Sequence, residues 1–150
     1  MRSPRPLLVV ALGLGVLTGA SECHGQSKPA TVSIAADGEA KVSYDPATKV
    51  LTVTPAIAVI VKESDFKWQV GKLPDRHTIE IDFRVHDGRK GPFKRSAEGT
   101  TGRYKGGSDS EVKAGAVDYK GRDAWKYDVI LRDGAGNDVA AIDPMVIIAQ

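Results

Sequence analysis

The chain has 150 residues and a nearly balanced charge, with 21 lysines and arginines against 19 aspartates and glutamates. This length is typical of one domain, and it is sufficient for a hydrophobic core that needs neither a metal nor a disulfide. A formal net charge of +2 gives no indication of binding to nucleic acid or to an anionic membrane.

The N-terminus has the pattern of a signal peptide. Arg2 and Arg5 precede an apolar run over residues 7–17, which has the length of a signal-peptide core and is too short to span a bilayer. Small residues permit cleavage after Ala20 or after Gly25, and the sequence leaves both sites open. We expect an exported protein, periplasmic or secreted, without a transmembrane segment once the signal is removed.

Cys23 is the only cysteine, so no intramolecular disulfide can form. Lipidation of Cys23 is not expected, because Glu22 occupies the position where lipoprotein signals carry a small residue. The chain therefore divides into a signal peptide with its leader, residues 1–25, and one folded domain, residues 26–150.

The clearest strand of the folded domain is expected over residues 77–86, where polar and apolar residues alternate. Successive side chains of a strand point to opposite faces, so one face of this strand lies on the core and the other in solvent. We expect the core face to carry Ile79, Ile81, Phe83 and Val85, and the solvent face Thr78, Glu80, Asp82, Arg84 and His86.

The C-terminal strands are expected to close the core around Trp125 and Tyr127. This prediction rests on the alternation from Trp125 to Leu131, a turn over residues 133–137 and a terminal apolar strand. The run over residues 56–61 is apolar on both parities, which is typical of a strand buried on both faces. Trp68 and Trp125 are expected to anchor the core, each with its N–H group hydrogen-bonded nearby.

These short strands and turns predict an all-β domain. We expect about seven to nine strands in a single antiparallel two-sheet β-sandwich, with a cupredoxin-like or immunoglobulin-like topology and no helix of consequence.

A glycine-rich basic segment, expected to be a long loop over residues 87–113, is the candidate binding site. Between Arg84 and Lys105 there are seven basic residues and two acidic ones, a local excess of 7 − 2 = +5. Glycine-rich backbone with nearby cations favours anions, so the hypothesis is an acidic partner, with a soluble loop that binds nothing as the alternative. The candidate ligand-binding residues are Arg89, Lys90, Lys94, Arg95, Arg103 and Lys105.

Catalytic and metal chemistry find little support in the pattern. His77 shares the parity of the core, whereas Asp82 and His86 have the opposite parity, so the three cannot converge on one ion. Asp82 and His86 are four residues apart, roughly 13 Å along a strand, which is too far for a shared ligand. No serine lies in a nucleophile elbow. We expect no enzyme, no metal and no cofactor.

Short stretches of the sequence resemble the cupredoxin-like β-sandwiches of exported bacterial proteins. The resemblance rests on Val53 to Val59, Phe66-Lys67-Trp68, His77-Thr78-Ile79, Pro92-Phe93 and the ending from Lys126 to Ile148. It implies the fold and the export. His77 matches the first copper histidine of that family, but no cysteine or histidine follows His86, so the blue-copper ligand set is incomplete.

The function expected from the sequence is that of an exported, non-enzymatic binding or structural module, with a protein or an anionic ligand in the cell envelope as its partner. The alternative is a periplasmic protein that handles a small ligand or a metal through the basic segment or His77. A partner module is expected to expose an edge strand or an apolar patch, and a small-ligand protein a concave pocket.

Overall fold

The computed structural model of the protein describes residues 32–35, 38–94 and 102–149. The predicted signal peptide, its two candidate cleavage sites, Cys23 and Arg95 lie outside these residues. Within them every regular element is a β-strand. The described part of the chain contains no helix long and apolar enough to cross a membrane.

The described residues form thirteen strands. In chain order these are β1 Val32–Ala35, β2 Glu39–Asp45, β3 Val50–Thr54, β4 Ile57–Val61, β5 Asp65–Val70, β6 Thr78–Phe83, β7 Val85–His86, β8 Arg89–Lys90, β9 Arg103–Gly106, β10 Glu111–Ala116, β11 Asp123–Arg132, β12 Asp138–Ile142 and β13 Met145–Ala149.

Two large sheets contain most of these strands. The first has the order β1-β4-β13-β11-β6-β9, with β12 also paired to β11, and the second has the order β10-β5-β2-β3. The buried residues of both sheets form one hydrophobic cluster, an arrangement consistent with a β-sandwich. The expected all-β class is confirmed, while the expected purely antiparallel pairing is wrong. Three pairs, β1–β4, β4–β13 and β2–β5, are parallel, so both sheets are mixed.

Strand β11 connects most of the first sheet because it is hydrogen-bonded on both edges. One edge pairs with β6 over Tyr127–Arg132. The other edge pairs with β13 over its first half and with β12 over its second half. Between these two partners, the Tyr127 amide donates to the carbonyl of Pro144 at 3.1 Å. The expected alternation of β11 is confirmed, and Trp125 and Tyr127 are fully buried.

The centre of the core is an aromatic cluster around Trp68. Its indole ring lies between 4.9 and 6.3 Å, centroid to centroid, from five other aromatic rings. These belong to Phe66, Phe83, Phe93, Tyr104 and Tyr127, which come from β5, β6, the Phe93 bridge, β9 and β11. Contacts of this kind stabilise a core beyond the burial of area, so the cluster joins the two sheets.

The two tryptophan N–H groups differ. The Trp68 Nε1–H donates to the Tyr127 hydroxyl at 3.3 Å inside the core, as expected. The Trp125 Nε1 atom is buried and has no hydrogen-bond partner among the described residues, so the expectation for this residue is wrong. The Trp125 ring instead packs edge-on against His86 and Tyr119 at one end of the sandwich.

The single strand expected over residues 77–86 is divided. β6 ends at Phe83, and Val85, expected in the core, is 71% exposed in the small hairpin of β7 and β8. Glu80, expected in solvent, is only 7% exposed because three cationic side chains surround it. This division and the strands β8 and β9 raise the number of strands above the expected seven to nine.

The Trp68–Tyr127 hydrogen bond gives the first prediction. Tyr127→Phe removes the acceptor and leaves a buried indole N–H without a partner. We expect the free energy of unfolding to fall by about 1–3 kcal/mol, measured from urea unfolding followed by tryptophan fluorescence. Tyr44→Phe is the control, since the Tyr44 hydroxyl has no hydrogen bond among the described residues. Equal stability of Y127F and wild type would contradict the prediction.

Candidate functional site

The basic segment is organised largely as strands. The expected long loop over residues 87–113 contains β8 and β9, and β10 begins within it at Glu111. Gly102 fixes the start of β9: a Cβ atom there would lie 2.2 Å from the Lys90 carbonyl oxygen, and its φ of +71° also favours glycine. The Gly102 carbonyl accepts a hydrogen bond from the Phe83 amide at 2.8 Å. These contacts bring Lys90 and Arg103 beside the end of β6.

Three of the candidate residues face carboxylates of β6. Lys90 forms an ion pair with Asp82 at 2.6 Å, and Arg103 with Asp82 at 2.9 Å and with Glu80 at 3.5 Å. Lys105 lies 3.8 Å from Glu80, which Arg132 also approaches at 3.7 Å. We call this outer surface of β9, β6 and the second half of β11 the charged face.

Further ion pairs complete the charged face. Arg84 pairs with Asp128 at 2.6 Å and lies 3.8 Å from Asp143, and Arg132 pairs with Asp138 at 3.1 Å. Five cations (Arg84, Lys90, Arg103, Lys105 and Arg132) thus meet five carboxylates (Glu80, Asp82, Asp128, Asp138 and Asp143). The local basic excess of the sequence is therefore offset in space by acids from β6, β11 and the β12–β13 connection.

The other candidate residues are dispersed. Arg89 lies 3.6 Å from Asp118 and over the ring of Tyr119, 5.9 Å from its centroid. Lys94 is exposed and forms no ion pair with the described residues. Arg95 is not among those residues. The structure therefore brings together only Lys90, Arg103 and Lys105, and it brings them onto carboxylates of the same chain.

The ion pairs on Asp82 change its protonation. Burial alone raises the pKa of this carboxyl, but hydrogen bonds and charge attraction from Lys90 and Arg103 outweigh that effect, and the net pKa lies below the ordinary value of 3.8. Asp82 therefore favours its charged form in the folded state.

The histidines are separate from one another. The half-buried His77 ring lies 3.0 Å, through Nδ1, from the carbonyl of Asp75, whereas the exposed His86 lies 2.6 Å, through Nε2, from Asp123. The pKa of Asp123 is lowered, chiefly by its hydrogen bond with His86. No group of three or more His, Cys, Asp or Glu side chains arranged to hold a metal occurs among the described residues.

A second surface lies on the outer side of β4 and β13. Ala58, Ile60, Val146 and Ile148 point into the core, so the alternate residues of both strands point outward. The parallel register places Ile57 opposite Met145, Val59 opposite Ile147 and Val61 opposite Ala149. These six outward residues (Ile57, Val59, Val61, Met145, Ile147 and Ala149) are all aliphatic or methionine, and we call them the apolar face.

The apolar face is in contact with solvent. Val61 is 43% exposed and the other five side chains are half-buried. Since the second sheet packs on the core side, the described strands place no layer over this outer side. The apolar run over residues 56–61, expected to be buried on both faces, is therefore buried on one face only.

Strand β11 borders the apolar face. Its register places Ala124 opposite Ile147 and Lys126 opposite Met145. A shallow depression lies at the end of the face where β13 finishes and β11 begins. It is lined by Arg122, Asp123, Ala124, Ile147, Ile148 and Ala149. Beyond Lys126 along β11 comes Asp128, where the charged face begins. One sheet surface is thus divided into a charged half and an apolar half.

Sequence reasoning missed the apolar face, although its signal was present. Residues 56–61 and 145–148 were both recognised as apolar on both parities. What the sequence did not show is that the two runs pair side by side, and that only one of their faces receives a packing partner.

The chain was compared with protein-family models, curated proteins and solved structures, and none of them matches it. Any assignment of function therefore depends on the geometry of the two surfaces.

The lowered pKa of Asp82 predicts how stability depends on pH. A carboxyl with a depressed folded-state pKa stabilises the fold above its unfolded pKa, near 3.8, and this contribution is lost as the pH falls through the folded pKa. Asp82→Asn is therefore expected to lower the urea midpoint at pH 7 and to reduce its further decrease toward pH 2.

The control for Asp82→Asn is Asp75→Asn, which removes an exposed carboxylate with no ion pair among the described residues. Both variants would be compared with wild type by urea unfolding at pH 7, 4 and 2. If the urea midpoints of Asp82→Asn and wild type change in parallel over this pH range, Asp82 does not contribute the predicted pH-dependent stability.

Proposed function

We propose that the protein is an exported, non-enzymatic binding module that docks a partner protein on the apolar face. The observation that supports this proposal is the set of six outward apolar side chains on two adjacent parallel strands. All-parallel sheets are almost always covered on both faces, since crossover helices lie there, and their strands are apolar on both sides as β4 and β13 are. Uncovered apolar surface bordered by charged residues is typical of a protein–protein contact.

The charged face is the weaker candidate for a binding site. Its lysines and arginines already contact carboxylates at 2.6–3.8 Å, so an anionic ligand would have to displace these ion pairs before it could bind. We therefore propose that Lys90, Arg103 and Lys105 stabilise the fold through these ion pairs, and that the partner binds to the apolar face rather than to the basic segment.

The non-enzymatic part of the proposal follows from the separation of reactive groups. His86 contacts Asp123 and the ring of Trp125, whereas His77 contacts the backbone of its own turn. An acid, a base and a nucleophile would have to converge on one site for catalysis. The relation to cupredoxin-like sandwiches remains part of this proposal, on the short stretches described above.

Site-specific photo-crosslinking in the native cells tests the docking surface. A photoreactive phenylalanine analogue placed at Val59 is expected to yield a discrete crosslinked protein, because Val59 lies in the middle of the apolar face. The same analogue at Val50 is the control: Val50 is a strand valine on the other sheet, and at 48% exposure it is more accessible than the half-buried Val59.

A substitution on the apolar face should abolish the crosslink. Ile147→Lys, combined with the probe at Val59, is expected to remove the crosslink, since a lysine ammonium buried without a partner costs more than the interface gains there. Val50→Lys should leave it unchanged. Thermal unfolding confirms that both variants fold. A crosslink that survives Ile147→Lys, or that Val50 yields equally, contradicts the proposal.

A further inference from the structure

The apolar face carries an asymmetric charge pattern along the side formed by β11. Lys126 lies within β11 opposite Met145, on the parity of the outward Ala124. Arg122 immediately precedes β11 and lines the depression beside Ala124 and Ile147. Neither cation forms an ion pair with the described residues. The nearby acids are occupied, since Asp123 contacts His86 and Asp128 contacts Arg84. The β11 side of the apolar face therefore presents two available cations.

On the β4 side of the face, the turn at the end shared with Arg122 is nearly neutral. Lys62 and Glu63 follow Val61 in the turn, and both are exposed. Among the side chains that the structure describes, the available cations of the border thus lie on the β11 side, so a complementary partner would carry acidic residues on that flank.

The dimensions of the face fit a helix. Each of its two strands has five residues, which span roughly 16 Å, and a helix of about 11 residues has that length. Helices are the usual cover for parallel strands, and they pack with an apolar stripe against the sheet. Arg122 and Lys126 are four positions apart, roughly 13 Å along an extended chain. Helix positions seven or eight apart lie on one face and are roughly 10–12 Å apart, so the long side chains of Arg122 and Lys126 would bridge the remaining distance.

We propose that the docked segment is an amphipathic helix of about three turns whose apolar stripe covers the apolar face. Two acidic residues, seven or eight positions apart on one flank of this helix, contact Arg122 and Lys126. This inference rests on the proposed function and specifies the chemistry of the partner.

The charge pattern argues against a second copy as the occupant. A two-fold contact places the same patch of both copies together, and with the axis across the strands Arg122 and Lys126 of one molecule would approach the cations of the other. A membrane is also disfavoured, because the face is a flat strand surface without the tryptophan or tyrosine typical of membrane interfaces.

Two synthetic peptides test the inference on protein purified from cells that express the full chain. Each has roughly 16 residues, enough for measurable helix formation, with leucines at helical spacing on one side. The acidic peptide carries glutamates seven positions apart on one flank, and the basic peptide carries lysines there. Fluorescence anisotropy is expected to show at least tenfold tighter binding of the acidic peptide.

Charge reversal on the protein provides the matching change. The double variant Arg122→Glu/Lys126→Glu should bind the acidic peptide at least tenfold more weakly than wild type and the basic peptide more tightly. The control Lys41→Glu/Lys72→Glu changes the same number of charges at exposed positions away from the apolar face and should leave both affinities unchanged. Circular dichroism verifies that each variant is folded.

The outcomes separate this inference from the proposed function. Equal binding of both peptides, lost in Ile147→Lys, overturns the acidic flank and keeps the docking surface. If neither peptide binds, the helix is overturned. If the probes at Val59 and Val50 give the same crosslink, the docking surface itself is overturned. A dimer in sedimentation that Ile147→Lys dissociates would identify a second copy. Binding to anionic vesicles but to neither peptide would identify a membrane, and either result overturns the inference.

Discussion

The backbone hydrogen bonding of β11 is the constraint on which the rest of the first sheet depends. This strand is paired on both edges, to β6 on one side and to β13 and β12 in succession on the other. Its alternation then sends Trp125, Tyr127, Val129 and Leu131 into the core and the intervening residues outward. The same strand therefore supplies the core, the border of the apolar face and part of the charged face.

Local patterns in the sequence were sufficient for the class of fold and for much of the core. The alternation of β6 and β11 correctly placed Ile79, Ile81, Tyr127 and Val129 in the interior. Pairing partners were not accessible in the same way, because parallel register is set by residues far apart in the chain. β4 and β13 are separated by more than half of the domain, yet they lie side by side.

Charge was the property that sequence reasoning misjudged most. A count along residues 84–105 gave a basic segment, but electrostatic interactions depend on distance in space rather than along the chain. The carboxylates that balance it come from β6, β11 and the β12–β13 connection. The apolar face shows the opposite error. Each of its two runs has the composition of a core strand, but only one side of each run is covered, so the other side is a surface.

The different surroundings of the two tryptophans make them natural optical reporters of different regions. Trp68 lies among aromatic rings at the junction of the two sheets, so its emission responds to opening of the core as a whole. Trp125 instead packs edge-on against the ring of His86, so its emission responds to displacement of the β7–β8 hairpin that carries this histidine. The protein thus carries an intrinsic optical signal for the β7–β8 hairpin that is distinct from the signal for global unfolding.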